Sequence, residues 1–118
     1  MRPMIRHAVT GLGSIAVILA FAPAAFAVDA DAAKQLARQN NCFKCHAITK
    51  GKDGPAYHKV AEKLKGKADA EEKLIHHITS GEKAKFPDGH EEDHKIVKTS
   101  PPHDMAQIKN LVQWILSQ

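Results

Sequence analysis

The sequence predicts an all-α domain of about four helices. Three observations lead there. Four stretches place apolar residues at intervals of three and four, the spacing that lines one face of a helix. No stretch alternates apolar and polar residues as a half-buried strand would. Between the first and second stretches lies Cys42-Phe43-Lys44-Cys45-His46, a C-x-x-C-H pentapeptide that gathers two thiols and an imidazole within one turn of chain.

Asp29 or Asp31 supplies the cap of the first helix, which runs through about Asn40 with Ala33, Leu36 and Ala37 on one face. It delivers the chain to the pentapeptide. Two thiols three positions apart can each add to one of the two vinyl groups of a haem, and the adjoining imidazole then ligates the iron from one side. The motif therefore predicts one covalently attached haem c, with Cys42 and Cys45 as thioether links and His46 as proximal ligand. Other uses of these residues fit less well. A dithiol redox pair usually opens a helix after a strand, and nothing upstream reads as a strand. A zinc site joining the two cysteines to His90 and His94 would span the 44 residues between Cys45 and His90, far more than a compact finger. A disulfide between residues three apart closes too short a loop to stabilise much.

Beyond the motif, Gly51, Asp53, Gly54 and Pro55 mark a loop. Tyr57, Val60, Ala61 and Leu64 recur at i, i+3, i+4 and i+7 and predict a second, short helix. Asp69 with Glu72 has the pattern of a capping box, and Leu74, Ile75 and Ile78 form the stripe of a third helix that stops at Gly81. His76 and His77 on that helix, and His58 after the loop, are expected at the surface. Residues 82–103 are polar and interrupted by Pro87, Gly89, Pro101 and Pro102, so they should form a long loop with at most a helical turn. A loop that long in a small domain usually has a function. Asp104, with Gln107 at the third helical position, caps a last helix carrying Ile108, Leu111, Val112, Ile115 and Leu116.

The N-terminal end has a different character. Arg2 and Arg6 precede an apolar run from Ala8 to Ala22, and Ala25-Phe26-Ala27 is a small-x-small cleavage site. Residues 1–27 therefore read as a secretory signal peptide and residues 28–118 as one domain, exported to the periplasm with no stable membrane insertion after cleavage. The apolar run is short for an uncleaved membrane anchor. Removing Arg2 and Arg6 leaves 15 basic against 13 acidic side chains, so the whole-chain charge of +4 falls to +2, too small a balance to imply nucleic acid. The domain's only aromatics are Phe43, Tyr57, Phe86 and Trp114. That is a thin supply for a small core, and a haem would add the missing apolar bulk. Lys44, Lys50, Lys52, Lys59, Lys63, Lys65 and Lys67 cluster around and after the motif, while Glu91, Glu92 and Asp93 form an acidic run. The lysines are either a rim that steers an acidic redox partner or a solvated face.

In the order of its features the chain resembles the small bacterial class I c-type cytochromes over essentially all of residues 28–118. The matching features are the helix ending at the C-x-x-C-H motif, then Gly54-Pro55-Ala56-Tyr57, a helix ending at Gly81, and a terminal helix with Leu111-Val112-Gln113-Trp114-Ile115-Leu116. The resemblance implies a class I cytochrome c fold in which the first and last helices cross, here Leu36 and Ala37 against Leu111, Trp114 and Ile115. An aromatic common on the family's first helix is missing. It also implies that Pro55, nine residues after His46, offers its carbonyl to the second ring nitrogen of that histidine. Such a bond fixes the ring and makes the ligating nitrogen more basic.

The sixth iron ligand is where the chain departs from the family, which places a methionine roughly midway between the features matched here by Gly81 and Trp114. Met105 is the only methionine after the signal peptide, and it sits immediately after the Asp104 cap, 24 residues past Gly81. Lys98, Thr99 and Ser100 stand where a methionine before Pro101-Pro102 is expected. His94 lies 13 residues past Gly81, inside the loop that should cover the distal face. The sequence therefore nominates His94 and Met105 as distal ligands; His90, His103, Lys98 and an open site are further alternatives.

The function expected from the resemblance is that of a periplasmic monohaem electron carrier between redox protein partners, not an enzyme. The haem supplies the chemistry, and the protein tunes it through ligands, hydrogen bonds and burial. The alternative is a haem-based sensor or scavenger of NO, CO or O₂ whose displaceable distal ligand yields the iron to a gas.

Overall fold

The computed structural model describes residues 27–118, so the expected signal peptide lies outside the described residues except for Ala27. Four α-helices carry the domain: α1 (Ala30–Gln39), α2 (Tyr57–Leu64), α3 (Ala70–Thr79) and α4 (Met105–Leu116). The core lies where α1 crosses α4. Ala33, Leu36 and Ala37 from α1 meet Leu111, Trp114 and Ile115 from α4, with Tyr57 from α2 completing the cluster. Two asparagines clamp the ends of α1. Asn110 accepts from the Asp29 N–H at 2.8 Å and donates to the Asp29 carbonyl at 2.9 Å. Asn40 accepts from the Lys98 N–H at 2.7 Å and donates to its carbonyl at 3.0 Å.

The caps follow the sequence at both ends of the chain but not in the middle. The Asp29 carboxylate accepts from the Ala32 N–H, and that of Asp104 from Ala106 and Gln107, closing α1 and α4. Asp69 precedes α3 without making the expected cap bond, its carboxylate being held 2.8 Å from Lys73 instead. Gly81 ends that helix at φ +71°, a left-handed conformation that glycine adopts without strain.

The long loop departs from expectation. Lys83–Lys85 (β1) and Glu91–Asp93 (β2) form an antiparallel hairpin, pairing Lys83 with Asp93, Ala84 with Glu92 and Lys85 with Glu91. The sequence hides these strands because they carry almost no apolar or β-branched residues. What holds them is cross-strand charge, including a 2.6 Å contact from Lys83 to Asp93, and a Phe86-Pro87-Asp88-Gly89 turn over which Phe86 stacks on His90 at 4.3 Å.

Candidate haem site

After α1, Asn41 adopts φ 58°, which asparagine tolerates better than most residues, and turns the chain into a short 3₁₀ turn over Cys42–Lys44. The Cys42 carbonyl receives the N–H groups of both Cys45 and His46, so thiols and imidazole emerge from one turn. The following loop folds back on it. Gly54 N–H donates to the Cys45 carbonyl at 2.7 Å, and Tyr57 and His58 N–H donate to Ala47 and Ile48, each at 2.9 Å. This brings Pro55 to His46, whose Nδ1–H donates to the Pro55 carbonyl at 2.7 Å.

His46 is gripped on its faces as well. Tyr57 stacks on the ring at 5.0 Å and 16°, and is itself set edge-on to Phe43 and Trp114. Phe43 also meets Trp114 edge-on at 6.3 Å, which places an aromatic from the turn beside the α1–α4 crossing. On another side there is room only for glycine. A Cβ on Gly54 would lie 2.7 Å from Nδ1 and 2.9 Å from Nε2 of His46, closer than real contacts allow. The sequence marks Gly54 as a loop residue and as part of the Gly54-Pro55-Ala56-Tyr57 match; its spacing of eight after the histidine does not by itself reveal this close approach.

Cys42, Cys45, His46 and Pro55 line one side of a cavity of about 930 Å³, bounded elsewhere by Leu74, Ile78, Val97, Leu111 and Ile115. Such a volume lies at the upper end of the roughly 300–1,000 Å³ usual for cofactor-sized sites. It is far larger than the voids a packed core of this size leaves. The two cysteines are not bonded to each other. An apolar cavity bordered by both thiols and the His46 ring fits a haem held by thioether links and an axial imidazole.

The distal candidates separate in space. His94 lines the cavity, its ring centre 6.3 Å from that of His46. Its Nδ1–H donates to the Lys95 carbonyl at 2.9 Å, so in both rings Nδ1 is engaged by a backbone carbonyl and the lone pair of the unprotonated Nε2 is left to bind a metal. Burial is the first cause that lowers the pKa of each below the ordinary histidine range, with His77 adding to it, and the neutral form is the one that ligates a metal. Met105, 44 % exposed on the first turn of α4, does not line the cavity. Neither do Lys98 and His103, while His90 is exposed at the hairpin and held by Asp88 and Glu92.

The hairpin explains the placement of His94. The His94 N–H donates to the Glu82 carbonyl at 2.9 Å and the Val97 N–H to that of Ile78 at 2.8 Å, so the chain leaving β2 is laid along the end of α3. Of the histidines on that helix, His76 stays exposed as expected. His77 turns inward and packs its ring 4.2 Å from that of His94.

The chain is similar to known proteins in sequence and in fold. The sequence pattern of the Cytochrome c family matches residues 30–118. Cytochrome c-552 of Hydrogenobacter thermophilus is 36% identical over 86 residues, covering 71% of this chain and 79% of that protein. Cytochrome c-551 of Pseudomonas aeruginosa is 32% identical over 85 residues, covering 70% and 73%. Among solved structures, the class 1 cytochrome MtoD of Sideroxydans lithotrophicus ES-1 is 70% identical with a TM-score of 0.72, covering 77% of this chain and 97% of that one. Cytochrome c552 of Nitrosomonas europaea is 30% identical with a TM-score of 0.55, covering 71% and 96%. The chain belongs to the cytochrome c family, as a small class I monohaem cytochrome of electron-carrier type with one covalently attached haem c.

Proposed function

We propose that this cytochrome is a periplasmic one-electron carrier whose haem is linked through Cys42 and Cys45 and ligated by His46 and His94. The observation that carries the ligand pair is the spacing of the rings. Imidazole nitrogens bind first-row metals at about 2 Å, so two rings on opposite sides of one iron have centres roughly 6 to 6.5 Å apart. His46 and His94 are separated by 6.3 Å. Pro55 orients the proximal ring, and the haem, when bound, supplies the Fe(III)/Fe(II) couple.

Two strong axial imidazoles favour electron transfer over gas binding because neither is readily displaced. A methionine at the sixth site would raise the potential; a second histidine leaves it lower. The signal peptide that the sequence of residues 1–27 predicts supports the periplasm. Among the described residues no helix is long and apolar enough to cross a membrane. Soluble redox proteins are the partners this reading requires.

Voltammetry of the haem-loaded protein, with and without CO, tests the function. A single reversible one-electron wave that CO leaves in place supports the carrier. A wave abolished by rapid CO binding at neutral pH would instead favour the gas-binding reading.

A further inference from the structure

Glu82 is the point at which α3, the hairpin and the distal ring meet. Its backbone carbonyl holds the His94 N–H, and its carboxylate receives the imidazoles at the end of α3, His77 Nδ1 at 2.5 Å and His76 Nδ1 at 3.0 Å. The His76 side chain is 65% exposed and that of His77 33%. Only His77 turns to His94, with ring centres 4.2 Å apart at 45°. These contacts do not form a metal site, since Glu82 engages both Nδ1 atoms, and among the described residues no cluster is arranged to hold an ion.

His46 and His94 are supported in parallel ways. His46 has a carbonyl partner in Pro55 and a ring partner in Tyr57. His94 has a carbonyl partner in Lys95 and a ring partner in His77. Lys95 is the next residue in the chain, so its carbonyl moves with His94 and resists rotation of the ring only weakly. A body against the ring face resists it better. Tyr57 can serve His46 because it is fixed in the core; His77 is half-buried and needs another anchor, which the Glu82 carboxylate supplies.

We propose that His77, held by Glu82, is a positioning residue that sets the rotation of the His94 ring about its bond to the iron. This rests on the reading of His94 as distal ligand. The angle between two axial imidazole planes governs the splitting of the iron d orbitals, so ring rotation is visible in the low-temperature EPR spectrum of the ferric protein. A merely structural contact would change stability without moving those resonances.

The test uses the haem-loaded protein with His77→Ala, His77→Phe, Glu82→Ala and the double variant Glu82→Ala/His77→Ala, read by ferric EPR and by CO binding to the ferrous form. His77→Ala should shift or broaden the largest g-value and weaken the hold on His94 by roughly tenfold or more, the size usual when a ligand loses its supporting partner, so that CO enters correspondingly faster. His77→Phe restores a ring face and should return both readouts toward those of the native protein. Glu82→Ala should change them in the same direction as His77→Ala, and the double variant should add nothing, because both act through one contact. A native g-value and CO rate in His77→Ala would overturn the proposal, as would a His77→Phe protein as disturbed as His77→Ala. His94→Ala, combined with His77→Ala so that the neighbouring imidazole cannot take the vacated place, separates the two ideas. If it opens the iron while the His77 variants change nothing, only the positioning role is lost; if it leaves a native spectrum, the ligand reading fails first.

Discussion

His46 and His94 face one cavity with ring centres 6.3 Å apart and planes at 48°, each donating Nδ1–H to a backbone carbonyl. One ring comes from the turn after α1 and the other from the chain leaving a charged hairpin, so their approach depends on two distant segments meeting. The contacts that bring them together set the expected behaviour of the variants below.

Gly54→Ala should damage the proximal side selectively. The added methyl would enter the His46 ring, which Tyr57 and Pro55 hold from other directions, so the ring or the loop must shift. Overpacking of this kind costs about 1–3 kcal/mol. Thermal melting of the haem-loaded variant should fall accordingly, and its reduction potential should move as the Pro55 bond is strained.

Leu111→Ala and Met105→Leu should differ sharply although they lie on one helix. Leu111 is 2% exposed between α1 and the cavity, so its truncation should cost about 2–5 kcal/mol. Met105 is exposed, and its replacement should cost under about 0.5 kcal/mol and leave the visible spectrum unchanged. Denaturant melts of the two variants check the contrast.

The fold was largely legible because its helices depend on local patterning. The stripe of Leu111, Trp114 and Ile115, the caps Asp29 and Asp104 and the stop at Gly81 are all written within a few residues of where they act. The hairpin was not, because Lys83, Lys85, Glu91 and Asp93 form strands through cross-strand charge, which single-strand patterning cannot express. In the site, family spacing points to the Pro55 carbonyl, whereas the inward turn of His77 and the close approach of Gly54 depend on tertiary contacts. The spacing of His94 and Met105 names both as distal candidates, and that His94 lines the cavity while Met105 does not depends on tertiary contacts.

A chain prepared without haem should lose much of its helix. The cavity of about 930 Å³ lies beside Leu111 and Ile115, which also belong to the core, so without the cofactor a small domain buries too little apolar surface to offset chain entropy. Circular dichroism should show weak helicity and a broad melt. A cooperative, native-like melt would show that the protein core suffices alone.

The hairpin should respond to pH through His90. The Asp88 carboxylate is the main cause that raises the His90 pKa, opposed by desolvation and helped by Glu92. A folded-state pKa above the unfolded one means that the added hairpin stability is fully present below the ordinary histidine range and is lost as pH rises through the raised value. NMR titration of the His90 ring should show the raised midpoint, and Asp88→Asn should lower it.

The most direct test of the axial pair is the spectrum of His94→Ala, made alone and together with His77→Ala so that the neighbouring imidazole cannot replace the lost ligand. The native ferric protein should lack the weak far-red band of a methionine–iron bond. The double variant should become high-spin and bind CO rapidly, while Met105→Leu keeps the native low-spin spectrum. A far-red methionine band in the native protein, with Met105→Leu opening the iron and the His94 variants remaining low-spin, would rule out His94 as the distal ligand.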